Sequence, residues 1–200
     1  IQQVREREAI LREINVALTS SLDLNSVLAV LLDKITGLLP EAGATIRLKN
    51  AETGIWEPVA CRNVDEDDWR KAPMIARSGG LTEVVLAAKK AVVVPDVQND
   101  PRTRNRDFMV SNRLVTYLGI PLIVKEEILG VLGLYTRSPQ TFLAEQIEFF
   151  SALGNQAAIA IHNSRLYEEL KKANATLEKT LEIKSVLTGV MAHELKTPIQ

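Results

Sequence analysis

The chain has 200 residues, and its 24 basic and 25 acidic side chains give a formal net charge of −1, which gives no indication of binding to nucleic acid or an anionic membrane surface. With 46% hydrophobic residues it can build a core, and its length predicts one domain of ordinary size with extensions. The single cysteine, Cys61, excludes an intramolecular disulfide, and no apolar run approaches the ~20 residues that cross a bilayer. We therefore expect a cytoplasmic protein.

Residues 1–22 predict an N-terminal helix with a narrow apolar stripe. The stripe consists of Val4, Leu11, Ile14 and Leu18, and charged side chains occupy the other faces. A stripe this narrow favours a coiled-coil seam between two copies of the chain. The alternative is an amphipathic helix that packs on its own domain.

A broader apolar face over residues 24–39 predicts a helix that is buried against a sheet. Two strands, Ala44–Lys49 and Ile55–Cys61, are predicted to follow it, joined by a polar turn. The first strand alternates, so that its apolar residues point inward while Arg47 and Lys49 point outward.

The middle of the chain alternates short elements with polar loops. The acidic run Asp65–Asp68 is interpreted as a solvated helix N-terminus rather than a metal site, because no His or further carboxylate cluster completes a ligand set. The strongest strand pair is Val115–Val124 with Ile128–Thr136, rich in β-branched residues. The other predicted elements are a short helix Leu81–Lys89, a strand Val92–Val94 and a long helix from Phe142.

This order of elements predicts an α+β domain with an antiparallel sheet whose terminal helices share one face. Three segments, Leu118–Leu122, Gly130–Leu134 and Gln156–Asn163, also resemble the GAF domain family. The resemblance spans roughly residues 23 to 165, and we assign the sensor domain to residues 23–163. It implies a GAF-type sheet flanked by helices, but it says little about a ligand, because GAF domains bind many things or nothing.

The resemblance raises the question of whether this chain has the residues with which GAF domains bind haem or bilin. Haem needs an axial histidine, but both histidines belong to the C-terminal helix, where His162 is interpreted as helix surface. Bilin-binding GAF domains place their cysteine near a later helix, whereas Cys61 lies at the end of an early strand. We therefore expect neither haem nor bilin. What remains is an apolar pocket rimmed by Phe108, Met109 and Tyr117, either for a small organic ligand or empty.

Residues 164–187 predict a coiled-coil linker. Its apolar positions Leu166, Leu170, Ala173 and Leu177 are spaced four, three and four, which is typical of a two-stranded seam. Beyond Leu177 two successive steps of three break this register. The break either transmits a twist or slide along the helix or is a weak stretch without special meaning.

Residues 188–200 contain the order His193-Glu-Leu-Lys-Thr-Pro198, which resembles the phospho-acceptor box at the start of the dimerisation domain of sensor histidine kinases. The imidazole of His193 can attack the γ-phosphoryl group of ATP, while the Glu194 carboxylate holds the tautomer and takes up the proton. Thr197, one turn further on, can orient a water against the phosphorylated ring. The alternative is an ordinary helix with a solvated histidine.

Together these features predict the sensory and dimerisation portion of a two-component sensor histidine kinase. A homodimer with parallel coiled coils at both ends would pass a signal to His193, which then donates its phosphoryl group to an aspartate of a response regulator. The chain lacks a Gly-rich nucleotide-binding segment, so the resemblance implies that ATP and magnesium bind to another domain of a longer parent. This portion, without cofactors of its own, is then expected to be inactive alone. The alternative is a GAF ligand-binding or dimerisation module without phosphotransfer.

Overall fold

The structure is a computed structural model that describes residues 2–71 and 80–194. Within these residues, an Asp23 cap starts the second helix, because its carboxylate accepts a hydrogen bond of 2.8 Å from the Ser26 amide. In chain order the elements are α1 (Gln2–Thr19), α2 (Leu24–Leu38), β1 (Gly43–Lys49), β2 (Trp56–Arg62), α3 (Glu66–Lys71), α4 (Leu81–Ala88), β3 (Val92–Val94), α5 (Arg106–Ser111), β4 (Thr116–Val124), β5 (Glu127–Thr136) and α6 (Ala144–Glu194).

The five strands form one antiparallel sheet in the order β2-β1-β5-β4-β3. The hairpin between β4 and β5 turns at Lys125, whose φ of 57° places it in the left-handed region. In the register of the central strands, Thr45 on β1 faces Gly133 on β5, which in turn faces Gly119 on β4. The α+β fold with a helix-flanked antiparallel sheet is confirmed.

The first face of the sheet is covered by α1, α2 and α6. Side chains at alternate positions of β1, β4 and β5 supply the sheet half of this core, and small residues of α6 such as Ala157 allow close packing. From α1, Ile14 and Leu18 are fully buried here, with 1% and 0% exposure. Their prediction as part of a seam between two copies was therefore wrong, because both side chains are already used by the fold of a single chain.

The second face is covered by the shorter helices α3, α4 and α5. The buried apolar residues of this layer are Cys61, Trp69, Leu81, Val85, Val94, Val97, Phe108, Met109, Leu114, Tyr117, Val131 and Tyr135. Arg47 lies, as predicted, on the side of β1 opposite to Ile46 and Leu48, but this side of the sheet is covered by a second layer and does not face open solvent. Arg47 is half-buried against this second layer.

Helix α6 has 51 residues and two parts with different surroundings. Up to Ser164, which is fully buried, its residues alternate between core and surface. From Leu166 to Thr188 every residue is exposed, including Leu170 and Leu177 at 58% each. None of the helices within residues 2–71 and 80–194 has the length and apolar character needed to span a bilayer.

Candidate ligand face and signalling helix

The second face places the guanidinium of Arg47 among aromatic side chains, in the Arg47 cluster, which we define as Arg47, Trp69, Tyr117 and Tyr135 with Thr45. The guanidinium of Arg70 lies outside this cluster, 6.0 Å from the Trp69 centroid. The Cζ atom of Arg47 lies 5.2 Å from the centroid of the Trp69 ring, within the range of a cation–π contact. The Tyr117 and Tyr135 rings, which belong to a cross-strand pair of β4 and β5, have centroids 4.9 Å apart. Trp69 comes from α3, so the cluster joins the sheet to its short helices.

Two glycines make room for the tyrosine rings on this face. A Cβ atom at Gly119 would lie 2.5 Å from Tyr117 Oη, and one at Gly133 would lie 2.9 Å from Tyr117 Cε2. These separations are shorter than any ordinary carbon contact, so only glycine lets the phenol ring lie flat along the strands. The ring of Tyr135 also approaches Gly133, at 3.3 Å from the same Cβ position. Both phenols therefore lie along the sheet toward the strand row that contains Arg47.

Burial controls the ionisation of this cluster. It raises the pKa of Tyr117 well above its ordinary value and raises the pKa of Tyr135 to about 12. The positive charge of Arg47 opposes both of these increases. Burial also lowers the pKa of Arg47, which nevertheless stays charged, since arginine does not deprotonate in proteins. At neutral pH the cluster thus combines neutral phenols with one guanidinium cation.

The three residues predicted to rim a pocket lie on this same face. Phe108, Met109 and Tyr117 are 4%, 7% and 2% exposed and belong to its apolar layer. Their role as ligand contacts stays a prediction. Cys61 is buried on the same layer, where desolvation raises the pKa of its thiol. Sequence reasoning placed Arg47 on the outward side of β1 but did not select it as a site residue, because the alternation of a strand does not show that a helix covers that side.

Two consecutive residues fix α6 to the domain at the point where it leaves the core. The Ser164 hydroxyl donates a hydrogen bond of 2.7 Å to the carbonyl of Leu22, in the turn between α1 and α2. Arg165 Nη2 donates one of 2.8 Å to the carbonyl of Lys49, the last residue of β1. We call this pair the exit anchor. It connects α6 to the strand that carries Arg47, two residues from Lys49.

An open polar cleft of about 650 Å³ lies elsewhere, lined by residues that include Asn63, Asp65, Asn112 and Arg137. Several of its polar groups form hydrogen bonds within the protein. The Arg137 guanidinium donates to the carbonyls of Glu41 and Asn63, and the Asp65 amide donates to Asn112 Oδ1 at 2.7 Å. These hydrogen bonds connect loops that are far apart in the sequence. Among the described residues, no group of three or more His, Cys, Asp and Glu side chains could hold a metal ion.

Comparison with known proteins decides the family. The sequence profile described as the GAF domain matches residues 21–162. The chain belongs to the GAF domain family.

Similar proteins place GAF domains of this kind in several settings. The whole chain is 23% identical over 232 aligned residues to the circadian input-output histidine kinase CikA of Thermosynechococcus vestitus, and it spans 31% of that kinase's length. The GAF domain of a phosphoenolpyruvate-protein phosphotransferase from Coxiella burnetii shares the fold with a TM-score of 0.69 and 19% identity, covering 82% of this chain and 96% of that one. A domain assigned to a two-component sensor histidine kinase of Sinorhizobium meliloti 1021 gives a TM-score of 0.59 and 20% identity, covering 72% and 94%.

The last helix of the GAF domain continues without a break to Glu194. It therefore includes His193 and Glu194 of the predicted phospho-acceptor box, whereas Thr197 lies outside the described residues. His162, the other histidine of the chain, is half-buried on α6, one turn before the exit from the GAF domain. The predicted domain bounds at 22, 163 and 187 fall within or beside helices and stay predictions.

Proposed function

We propose that this chain is the sensory and dimerisation portion of a two-component histidine kinase in the cytoplasm. The observation that carries the proposal is α6, an unbroken helix that starts in the core of the GAF domain and includes His193. Similarity along the whole chain to a histidine kinase supports it. A continuous helix is a direct mechanical link between a sensor and a reactive side chain.

In this proposal His193 is the nucleophile. Its imidazole attacks the γ-phosphoryl group of magnesium-bound ATP, which is held by the ATP-binding domain of the longer parent. Glu194 holds the reactive tautomer and accepts the proton that the ring releases. The phosphoryl group then passes to an aspartate of a response regulator, and Thr197 orients the water that removes it when the kinase acts as a phosphatase.

We also propose that the chain forms a parallel homodimer through α6. The apolar positions beyond the exit anchor are exposed in the single chain, with Leu166 at 49% and Leu170 and Leu177 at 58%. Their spacing of four and seven residues places them on one stripe of the helix. Exposed leucines at such a spacing lose their contact with water when two helices pack along that stripe. The dimer would place both His193 residues in one helical bundle.

The test uses the full-length kinase with ATP labelled on its γ-phosphoryl group and magnesium. The label should be acid-labile and base-stable, as a phosphoramidate is, and His193→Gln should abolish it. Glu194→Ala should slow labelling by roughly 10²-fold, the usual effect of losing a positioned acid–base partner. Thr197→Ala should retain the label and lengthen its lifetime.

The matched control is His162→Gln, which removes the only other histidine of this chain and should leave labelling unchanged. A label that survives in His193→Gln would refute the phosphotransfer role. The chain would then be a GAF ligand-binding or dimerisation module. That alternative draws on the fold shared with proteins of other activities, such as the free methionine-R-sulfoxide reductase of Neisseria meningitidis (TM-score 0.63, 16% identity, 80% of this chain and 91% of that one).

A further inference from the structure

Arg47 is a half-buried cation without a carboxylate partner among the described residues. The ion pairs between described side chains join other cations to Glu13, Asp33, Glu66, Asp68 and Asp100. The Arg47 guanidinium contacts the ring of Trp69, 5.2 Å from its centroid. The buried phenols of Tyr117 and Tyr135 also lie near it, and both are neutral at pH 7. A cation on the adjacent strand shows the difference, since Arg62 on β2 has its own partner, Asp33 of α2, at 3.0 Å.

A charge that is withdrawn from water without a counter-ion costs free energy. The guanidinium has five N–H donors arranged in a planar fork that matches the two oxygens of a carboxylate or phosphate. The contact with the Trp69 ring is a cation–π contact, which gives the N–H donors of Arg47 no hydrogen-bond acceptor. The donors that remain are therefore suited to an oxyanion.

We propose that Arg47 binds the oxyanion, a carboxylate or a phosphate, of a small molecule on this face of the GAF domain. The ligand is small because Arg47 is in the middle of a strand and its neighbours Trp69 and Tyr117 are each only 2% exposed. A macromolecule could not reach the guanidinium between them. Arg47 thus determines the charge of the ligand.

The position of Arg47 gives this ligand a route to the signalling helix. Arg47 and Lys49 share strand β1, and the Lys49 carbonyl accepts the hydrogen bond from Arg165 at the exit anchor. An anion that pairs with Arg47 stabilises β1 in one position, and β1 holds α6 through that bond. This inference deepens the proposed sensory function and takes its biological meaning from it.

Binding is measured on the 200-residue chain with Trp56→Phe as background, which leaves Trp69 as the one fluorescent tryptophan. The probes are benzoate, inorganic phosphate and benzamide, a neutral molecule of nearly the same shape as benzoate, at constant ionic strength. Benzoate or phosphate should change Trp69 fluorescence with saturation and raise the melting temperature. Benzamide should bind at least tenfold more weakly than the anion that binds.

Arg47→Gln should weaken binding of the anion by roughly tenfold or more, the usual effect of losing a charged hydrogen-bond partner. The affinity of Arg47→Lys for the anion should lie between those of the background and of Arg47→Gln, since lysine keeps the charge but lacks the planar pair of N–H donors. Arg62→Gln is the matched control, because its cation is already paired, and it should bind as the background does. Binding of benzoate assigns the carboxylate class, and binding of phosphate alone assigns the phosphate class.

Three results would overturn the proposal: neither anion binds, benzamide binds as well as the anion that binds, or Arg47→Gln binds that anion as tightly as the background does. The melting temperature distinguishes a binding arginine from a merely structural one. If Arg47 were only structural, Arg47→Gln would lower the melting temperature without anion, but the anion would raise it by as much as in the background. None of these measurements involves His193. Failure of anion binding therefore leaves the phosphotransfer test intact, and loss of His193 labelling leaves the anion result intact.

Discussion

Ile14 on α1 provides a sharp test of how the N-terminal helix packs. Its side chain is 1% exposed, and Ile14→Ala removes three buried carbon atoms, about 0.8 kcal/mol each in transfer free energy. The cavity left behind brings the expected loss to about 2–5 kcal/mol, less the few tenths that alanine regains through helix propensity. For a chain of this size that loss lowers the melting temperature by roughly 5–15 °C.

The matched control is Val16→Ala on the same helix, because Val16 is β-branched, two residues away and 69% exposed. Its free energy of unfolding should change by less than ~0.5 kcal/mol. Both variants are followed by thermal unfolding with circular dichroism, and by light scattering for mass. If Ile14→Ala left the melting temperature unchanged and instead dissociated a dimer, Ile14 would belong to a seam between chains and the packing described above would be wrong.

The double variant Leu170→Glu/Leu177→Glu places charges on the apolar stripe of α6. We expect it to weaken dimerisation by roughly 10³-fold or more, measured by light scattering. Lys172→Glu/Lys179→Glu, with the same spacing on another face, should remain a dimer, and equal behaviour of the two pairs would contradict the stripe. Gly119→Ala should lose roughly 1–3 kcal/mol in denaturant unfolding, since its Cβ would meet Tyr117 Oη at 2.5 Å. Gly37→Ala, with open space around it on α2, should gain about 0.5–1 kcal/mol. The raised pKa of Tyr135 means that the folded state favours the neutral phenol. The contribution of Tyr135 to the free energy of unfolding is therefore complete below pH 10 and is lost as the pH rises toward 12. Tyr135→Phe should make unfolding less dependent on pH in that window, and an unchanged dependence would contradict the burial.

Much of the fold could be predicted because the residue pattern within each strand was sufficient to identify it. Val92–Val94 is the observed β3, and the predicted pair Val115–Val124 and Ile128–Thr136 differs from β4 and β5 by one residue at the start of each. β-Branched residues and a polar turn determine such a hairpin within a few neighbouring positions. The GAF resemblance added a sheet flanked by helices, whereas the strand order β2-β1-β5-β4-β3 was not predicted, because no local pattern contains it.

The errors came from packing that depends on residues far apart in sequence. Arg47 alternates with Ile46 and Leu48 as a surface residue would, but α3 brings Trp69 onto that side of the sheet. Ile14 and Leu18 have the spacing of a seam, yet a narrow stripe serves equally well when α2 and α6 supply the partner surface. A periodic pattern says which residues avoid water, and only the tertiary fold says what covers them.

The exit anchor makes the part of α6 beyond Arg165 a lever. From Leu166 to Glu194 the helix is roughly 43 Å long at its usual rise of about 1.5 Å per residue. A tilt of about 5° at Ser164 and Arg165 therefore moves the far end by roughly 4 Å, since displacement grows with distance from the pivot. That displacement matches the separation of about 3–3.5 Å at which a nucleophile meets the atom it attacks. If His193 is the nucleophile proposed above, a tilt of this size at the exit anchor would be sufficient to bring it into reach of a phosphoryl group or to withdraw it.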